Sequence, residues 1–443
     1  MDNSLVRVGV FGAWRGCAYI KCLAQIDGVK VTAVCDKSEK RRNDALAACE
    51  KIGCGDVRMF DDYEEFITSG LFDALILCNY FNEHAPVAIR ALGMCIHVFS
   101  ETIAASTMAE CVALCRAAEK STAIYQLAEN YPFARGTLEM KRLYDGGTLG
   151  KVLFAEGEYV HPMSPSDTRK YTGIDGNGEY HWRRYLPATY YCSHALAPLM
   201  YMTGEMPKKV IGKTILSSVE TLKKYGRIRA DAVGVMLVET IGGALFRVNG
   251  SSYMAPHGNW YRLSCEEGAC ETVRGQSKMV RLAYNKWSIP EGAEHDVTYE
   301  AQWASDAEKA EACGHGGGDY WVLRQFFDSV RSGKPGFLNV YRAAAMAAVG
   351  ILGWRSVLDG SKEYTIPDFR NEAERAEWEA DDLSPFPAEE KPNLIPYTSV
   401  PVAEDVLEYI AEKENETPAA TGSTESEIEA ESKNFGESNV VVK

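Results

Sequence analysis

Between residues 125 and 200 the sequence gathers an unusual number of side chains that exchange protons or donate hydrogen bonds. In the stretch FAEGEYVH (154–161) apolar and polar residues alternate as in a β-strand, which predicts that Tyr159 and His161 share one face. A carboxylate, imidazoles, phenols and a guanidinium together suit general acid and base catalysis. The full group comprises Glu129, Asn130, Tyr159, His161, Tyr180, His181, Trp182, Arg183, Tyr191 and His194.

Each of these residues also has an ordinary structural interpretation. The strand is equally typical of a half-buried sheet face with a few hydrated aromatic rings. A helix is predicted to begin near Ser193, and His194 inside it could be a hydrogen-bonded core histidine.

A glycine-containing turn near the N-terminus predicts a nucleotide site. The stretch VRVGVFGAWRGCAY (6–19) reads as a strand and turn, but Gly12 and Gly16 frame only Ala13, Trp14 and Arg15. A dinucleotide fingerprint has the pattern G-x-G-x-x-G, so this turn resembles one whose middle glycine is deleted. Glycines let backbone N–H groups approach a pyrophosphate, and the Arg15 guanidinium could reach a phosphate or the 2′ position of the adenosine ribose. An ordinary tight turn is the alternative.

Polar residues at the ends of the following strands extend this predicted site. Asp36 ends the strand VKVTAVCD (29–36), where an acidic residue binds ribose hydroxyls and favours NAD over NADP; a helix N-cap is the alternative. Later strands end at CNYFNEHAP (78–86) and at Glu101, in the crevice where open α/β sheets bind ligands. His84 could equally cap the next helix. The predicted cofactor-binding residues are Gly12, Trp14, Arg15, Gly16, Asp36, Asn79, Asn82, His84, Glu101 and Asn130.

These residues are carried by two different patterns of elements. Strands alternate with helices up to residue 127, which predicts an N-terminal Rossmann domain, a doubly wound parallel sheet, over residues 1–127. From residue 128 strands follow one another without helices between them, which predicts a C-terminal α+β domain with an open, mainly antiparallel sheet over 128–400. The fold class is therefore α/β. Residues 411–443, rich in Glu and poor in aromatic residues, predict an acidic disordered tail.

Composition excludes several classes of protein. A formal net charge of −15 argues against nucleic acid and anionic membranes as partners. The 13 cysteines contain no C-x-x-C pair, which predicts free thiols, a cytoplasmic location and no zinc site. No run is long enough to span a membrane, and the N-terminus has no export signal. No metal is expected.

From IHVFSETIAAS (96–106) onward the chain resembles the Gfo/Idh/MocA family of NAD(P)-dependent sugar and cyclitol oxidoreductases. Typical members carry G-K-H-V-x-x-E-K-P here, with a lysine that assists hydride transfer, whereas this chain has Glu101, Thr102 and Ile103. Where dehydrogenases of the family tend to have an Asp before the active-site His, this chain has Tyr190. Both departures resemble the branch classed as glycoside hydrolase family 109, as do AENYPFARG (128–136), FAEGEYVH, YCSHALAP (191–198), GHGGGDYWV (314–322) and VYRAAAMAAV (340–349).

The resemblance implies NAD as cofactor, a homodimer or homotetramer, and active-site roles for Glu129, Tyr159, Tyr191 and His194, with His161 and Arg183 nearby. It implies oxidation of a sugar hydroxyl, at C3, followed by loss of the group at C1. In that scheme His194 accepts the C3 hydroxyl proton. Tyr159 takes the C2 proton if a cation such as Arg183 lowers its pKa.

Two other functions remain open at this level. The chain could be a net oxidoreductase that yields a 3-keto glycoside or an oxidised sugar or cyclitol, or a non-catalytic protein that binds sugars or nucleotides. The missing lysine favours glycosidic cleavage over net oxidation, and the retained Tyr159, Tyr191 and His194 argue against the non-catalytic alternative.

Overall fold

Two β-sheets with helices between and around them make up the computed structural model of this chain. The structure describes residues 5–164, 181–216, 218–225, 231–251, 254–387, 393–400 and 403–416. No helix among the described residues combines the length and the apolar character that crossing a bilayer requires.

The first sheet has six parallel strands in the order β3-β2-β1-β4-β5-β6, the arrangement of a Rossmann domain. Its strands are buried on both faces, as the near-continuous apolar runs require. The strands are β1 (Val6–Phe11), β2 (Val29–Cys35), β3 (Arg58–Phe60), β4 (Ala74–Leu77), β5 (His97–Ser100) and β6 (Tyr125–Leu127). The helices are α1 (Ala13–Leu23), α2 (Glu39–Lys51), α3 (Tyr63–Ile67), α4 (His84–Gly93) and α5 (Met108–Lys120).

The second sheet has nine strands in the order β14-β13-β12-β11-β7-β10-β9-β8-β15. Only β7 and β10 pair in parallel, so the predicted mainly antiparallel sheet is confirmed. Its strands are β7 (Val152–Val160), β8 (Pro207–Leu216), β9 (Asp231–Thr240), β10 (Leu245–Ser251), β11 (Gly258–Cys265), β12 (Gly268–Val273), β13 (Gln276–Tyr284), β14 (Asp296–Glu300) and β15 (Tyr364–Thr365).

Among the described residues, eight further helices accompany the second sheet. They are α6 (Arg135–Asp145), α7 (Ser193–Thr203), α8 (Val219–Tyr225), α9 (Ala307–Glu311), α10 (Gly318–Ser332), α11 (Val340–Leu358), α12 (Glu372–Ala376) and α13 (Glu404–Glu416). Single 3₁₀ turns cover Phe81–Glu83, Tyr131–Phe133, Trp182–Tyr185 and His315–Gly317.

Helix α11 connects the two sheets. A Cβ on Gly212 of β8 would lie 2.1 Å from the Gly353 carbonyl oxygen, so the helix backbone rests almost directly on the second sheet. On its other side the Cys111 thiol of α5 reaches the Ala344 carbonyl oxygen at 3.8 Å. Alanine and glycine along α11 permit this close approach on both sides.

The glycine turn is short because α1 begins directly after Gly12, not near residue 16 as the apolar pattern suggests. Gly12 has φ +91°, and a Cβ there would lie 2.4 Å from the Cys78 carbonyl group at the end of β4. A Cβ on Gly16 would lie 2.5 Å from Val10 in β1. The two glycines therefore allow α1 to press against β1 and β4.

Two sequence-based predictions need correction. Cys22 of α1 and Cys313 form a disulfide across 291 residues, so the prediction that every cysteine is free was wrong for this pair. The geometry alone reveals the pair because no spacing rule links cysteines so far apart. The predicted acidic tail begins too early, because α13 continues to Glu416; residues 417–443 lie outside the described part of the chain.

The disulfide predicts the number of thiols that can be alkylated. Protein purified without reductant, denatured and treated with a maleimide polymer should gain 11 adducts, because 11 of the 13 cysteines are free. Prior reduction should raise the number to 13. Mass-resolved gels or mass spectrometry count the adducts, and 13 adducts without reduction would contradict the disulfide.

Candidate active site

A buried ionic cluster joins the start of α1 to the start of α10. The Arg15 guanidinium donates two hydrogen bonds to the Asp319 carboxylate, at 3.0 and 2.7 Å. Its Nε donates to Glu101 Oε1 at 2.8 Å, just beyond the end of β5. The Asp319 side chain is fully buried and that of Arg15 is 19% exposed. This geometry directs Arg15 to two carboxylates, so its side chain is not extended toward a phosphate as its position in the glycine turn suggested.

Further hydrogen bonds complete the cluster. Asn130 Nδ2 and His315 Nδ1 donate to Asp319 at 2.8 and 3.1 Å. The Tyr19 hydroxyl donates to Glu101 at 2.8 Å. Burial alone would raise the pKa of Asp319, but the charges of Arg15 and His315 hold that pKa well below its usual range. Burial also disfavours the ionised form of Glu101, but the charge of Arg15 favours it. The pKa of Glu101 is therefore lowered.

A second buried pair lies where β6 and α7 meet. His194 Nδ1 faces both oxygens of the Glu129 carboxylate, at 2.8 and 2.9 Å. A carboxylate only accepts hydrogen bonds, so Nδ1 carries the proton and Nε2 is the nitrogen that can accept one. The Glu129 side chain is fully buried, and the Tyr261 hydroxyl donates to the His194 carbonyl oxygen at 2.7 Å. Residues 129 and 194 are thereby fixed relative to each other and to the second sheet.

Three tyrosine rings surround this imidazole. The ring centroids of Tyr131, Tyr159 and Tyr191 lie 4.7, 4.6 and 4.7 Å from that of His194. These rings enclose the imidazole in an aromatic cage.

The Tyr159 phenol does not have the lowered pKa that the sequence interpretation required. Burial raises the pKa of Tyr159 well above its ordinary value, the neighbouring phenols Tyr131 and Tyr191 add to this, and Arg183 offsets only part of the rise. Desolvation and His257 lower the pKa of His161, which favours a neutral ring there. The pKa of Tyr159 is raised because the phenol is buried among other aromatic rings, and this burial outweighs the charge of Arg183.

Two predicted residues lie at the rim of the ring cluster. The His161 ring lies 5.9 Å from the Tyr159 ring and 4.9 Å from the His257 ring. The Arg183 guanidinium lies over the Trp182 ring at 4.1 Å and 6.0 Å from the half-exposed Trp14 ring. Arg183 therefore lies between the 3₁₀ turn Trp182–Tyr185 and the glycine turn.

Asp36 accepts hydrogen bonds from the backbone of two segments, the glycine turn and the start of α2. One carboxylate oxygen accepts from the Ala13 N–H at 2.8 Å and the other from the Ser38 N–H at 2.9 Å. The N-cap of α2 is Ser38 rather than Asp36, which excludes the simple capping alternative. Asp36 thus stabilises the turn at the carboxyl end of β2.

His84 positions two loops. Its ring nitrogens lie 2.9 Å from the Ile103 carbonyl oxygen and 3.3 Å from the Asn79 carbonyl oxygen. The ring is 2% exposed, and burial lowers its pKa. A neutral ring donates to only one of these two carbonyl groups, but both ring nitrogens face the protein, so His84 joins the loops after β4 and β5 instead of presenting a nitrogen to a ligand.

The crevice at the carboxyl ends of β1, β4 and β6 has the features that a dinucleotide requires. The side-chain oxygens of Asn79, Asn82 and Asn130 are buried and have no hydrogen-bond partner among the described residues. Such acceptors cost stability unless a ligand or water satisfies them. Gly12 keeps the adjacent turn free of a Cβ. The unsatisfied acceptors fit the hydroxyl donors of a ribose and the amide donor of a carboxamide.

Several residues of the site escaped the sequence interpretation. Tyr131 belongs to the motif AENYPFARG, which gave it no predicted role, but its ring lies next to those of Tyr159, His194 and His315 at the centre of the cluster. Asp319 was noted only as part of a glycine-rich loop. The sequence gave no indication that Tyr261 belongs to the site, because a tyrosine is a common residue in a β-strand.

Known protein families match this chain in three successive segments. Residues 6–129 match the family described as an oxidoreductase family with an NAD-binding Rossmann fold. Residues 137–271 match the GFO/IDH/MocA C-terminal domain, and residues 269–378 match the C-terminal domain of glycosyl hydrolase 109. The chain belongs to the GFO/IDH/MocA family. It is an enzyme that binds NAD in the Rossmann domain.

Similar proteins agree with this assignment. A glycosyl hydrolase family 109 protein of Shewanella pealeana is 23% identical and aligns over 82% of this chain and 85% of its own length. A glycosyl hydrolase family 109 protein of Saccharopolyspora erythraea is 25% identical and aligns over 88% of this chain and 87% of its own length. A structure of levoglucosan dehydrogenase with NADH and levoglucosan superimposes with a TM-score of 0.66 at 16% identity, over 82% of this chain and all of that one.

The buried ionic cluster predicts a large effect of Asp319→Asn on stability. The substitution leaves the Arg15 charge buried and poorly compensated, so the free energy of unfolding in urea should fall by about 3–5 kcal/mol at neutral pH. Asp328→Asn, on the same helix but 53% exposed, is the matched control and should change little. Equal effects of the two substitutions would contradict the role given to the cluster.

The same cluster predicts a dependence on pH. Asp319 and Glu101 have lowered pKa values in the folded protein, so their stabilisation is present above the unfolded pKa of about 4 and is lost progressively as the pH falls below it. The difference in unfolding free energy between wild type and Asp319→Asn should therefore be constant from pH 5 to 8 and shrink below about pH 4. Chemical denaturation at each pH measures it.

Proposed function

We propose that this enzyme oxidises a sugar hydroxyl of a glycoside, at C3, as the first step of releasing the group at C1. The buried Glu129–His194 pair is the observation that carries the proposal. It holds an imidazole by its Nδ1 against a buried carboxylate, in a cage of aromatic rings, and leaves Nε2 as the ring nitrogen that does not contact the carboxylate. A bound NAD⁺ supplies the hydride acceptor for the alcohol carbon and, at the end of the cycle, the hydride donor.

His194 is the group that takes the hydroxyl proton. Its Nδ1 proton points to Glu129, so the imidazolium formed after proton transfer is stabilised by a buried carboxylate about 3 Å away. Thr102 cannot replace the family lysine in this task, because its hydroxyl neither carries charge nor accepts a proton near neutral pH.

The ketone formed at C3 acidifies the proton on C2. Removal of that proton and loss of the C1 substituent give an enone, to which water then adds at C1. Tyr159 is the side chain we assign to the C2 proton, because its ring lies against those of His194 and Tyr191. Arg183 offsets part of the rise that burial causes in the pKa of Tyr159, so proton removal at C2 depends on the ketone acidifying that proton.

The raised pKa of Tyr159 also favours a second candidate function. Elimination needs a proton acceptor at C2, whereas oxidation alone needs only the Glu129–His194 pair. An enzyme that stops after the first step would be a net oxidoreductase and release a keto glycoside. Levoglucosan dehydrogenase, a structural neighbour, is known in complexes with levoglucosan and with L-sorbose, which supports a sugar as substrate for either function.

Mass spectrometry in deuterated water separates the two functions. The full chain, loaded with NAD, is incubated with a panel of glycosides. Glycosidic cleavage predicts free sugar with deuterium at C2 and no accumulation of NADH. Net oxidation predicts a product two mass units lighter with its glycosidic bond intact, and one NADH per product. No change in any glycoside would overturn both.

Substitution of Tyr159 by Phe tests the assignment of the C2 base. Release of the aglycone should fall by at least about a hundredfold, the range for loss of a general base, while hydride transfer in a single turnover remains measurable by NADH absorbance. Tyr125→Phe, another buried tyrosine but in β6, serves as the control. An equal loss of aglycone release and hydride transfer in the Tyr159 variant would contradict the assignment of Tyr159 as the C2 base.

A further inference from the structure

A C-terminal segment beyond the matched family domains packs at the mouth of the cofactor crevice. Those domains end at residue 378, and the chain continues through residues 384–387 and 393–399, which we call the C-terminal strap. The Ser384 N–H donates to the Asn393 carbonyl oxygen at 3.0 Å, and the Ile395 N–H donates to the Ser384 carbonyl oxygen at 2.9 Å. The two parts of the strap therefore pair with each other.

Two buried side chains fix the strap to the rest of the molecule. The indole nitrogen of Trp354 in α11 donates to the Pro396 carbonyl oxygen at 2.7 Å. The Ser399 N–H donates to one carboxylate oxygen of Asp231 at 2.8 Å, and the Ser399 hydroxyl donates to the other oxygen. Because Trp354 and Asp231 are both fully buried, close packing restrains these partners of the strap.

The strap places two aromatic rings next to the crevice. The Phe386 ring, which is 1% exposed, lies 6.0 Å from the Phe81 ring and 5.9 Å from the Tyr190 ring. The Tyr397 ring is perpendicular to the Tyr185 ring, with the centroids 5.4 Å apart. Phe81 follows β4 in the Rossmann domain, and Tyr185 belongs to the 3₁₀ turn Trp182–Tyr185. The strap therefore contacts both the Rossmann domain and this turn.

The turn Trp182–Tyr185 joins the two sides of the crevice. The Trp182 ring stacks on the Phe81 ring, with the centroids 4.6 Å apart and 13° between the planes. The Arg183 guanidinium lies 4.1 Å from the Trp182 ring and 6.0 Å from the Trp14 ring. Phe81 lies just after β4 and Trp14 in the first turn of α1, so these contacts cross the place where such a sheet binds a dinucleotide. We call this chain of contacts the ring bridge.

The ring bridge needs support from outside its own turn. A single 3₁₀ turn has weak hydrogen-bond geometry and is too short to be stable alone. All four residues of the turn Trp182–Tyr185 are partly exposed, so burial of the turn itself does not fix its position. Phe386 packs on Phe81 and Tyr397 packs on Tyr185, so the strap supports the bridge at two points.

We propose that Phe386 and Tyr397 are positioning residues that hold the ring bridge across the crevice, so that the C-terminal strap controls how fast bound NAD leaves. Release of NAD requires Trp182 to separate from Phe81, and the strap stabilises the stacked arrangement. Loss of a strap ring lowers the barrier to this opening. The proposal depends on NAD binding alone, so it holds for whichever reaction follows.

Displacement of NADH tests the role of the strap. The full chain is loaded with NADH, excess NAD⁺ is added in a stopped-flow mixer, and the change in NADH fluorescence gives the dissociation rate constant. Phe386→Leu and Tyr397→Leu should each raise this rate constant about fivefold, the effect of one lost aromatic contact. Tyr397→Phe keeps the ring and should release NADH at the rate of the wild type.

Phe369→Leu is the matched control for Phe386→Leu. Phe369 is also 1% exposed and also follows α11, but it lies outside both the strap and the ring bridge. The two substitutions should lower the free energy of unfolding by similar amounts, whereas only Phe386→Leu should speed the release of NADH. Equal acceleration in these two variants, or rate constants within about twofold of the wild type in both strap variants, would overturn the proposal.

A double-mutant cycle tests whether the strap acts through the ring bridge. Trp182→Leu should itself speed the release of NADH, because it removes the ring that stacks on Phe81. Adding Tyr397→Leu to Trp182→Leu should then change the rate constant by less than about twofold, since the contact that Tyr397 supports is already lost. If the two substitutions multiply each other's effects in full, Tyr397 acts by another route and its assignment as a positioning residue is wrong.

Discussion

The contact between Arg15 and Asp319 is the constraint on which the two halves of the molecule depend. Arg15 belongs to the first helix of the Rossmann sheet, and Asp319 starts a helix 304 residues later. A guanidinium with so little exposure has to be matched by carboxylates, and Glu101 and Asp319 together supply them. Once these are matched, the end of β5, the glycine turn and the start of α10 have only one relative arrangement.

This arrangement also determines where the catalytic groups lie. Asn130 donates to Asp319 and directly follows Glu129, which holds His194. The ionic cluster and the imidazole pair are therefore separated by a single peptide unit. A polar network in the centre thus connects the cofactor crevice to the ring cage, and both depend on the same short segment after β6.

Local sequence patterns predicted most of the fold, but they did not predict which of the candidate site residues pair with each other. Alternation in β7 indicated that Tyr159 and His161 share a face, and both rings do lie together. The start of α7 at Ser193 was predicted as well. The pairing of Arg15 with Asp319 and that of Cys22 with Cys313 were not predicted, because these partners are 304 and 291 positions apart and no local pattern contains both. The pKa of Tyr159 was misjudged because it depends on how many rings pack around one phenol.

The Cys22–Cys313 disulfide turns most of the chain into a covalent ring. A protease that cuts once between these two cysteines would open the ring but release no fragment until the disulfide is reduced. All strands of both sheets except β1 and β15 lie between the two cysteines in the sequence. The two sheets therefore stay covalently linked after such a cut. The polypeptide would thus keep the crevice between its sheets assembled even when its backbone is nicked.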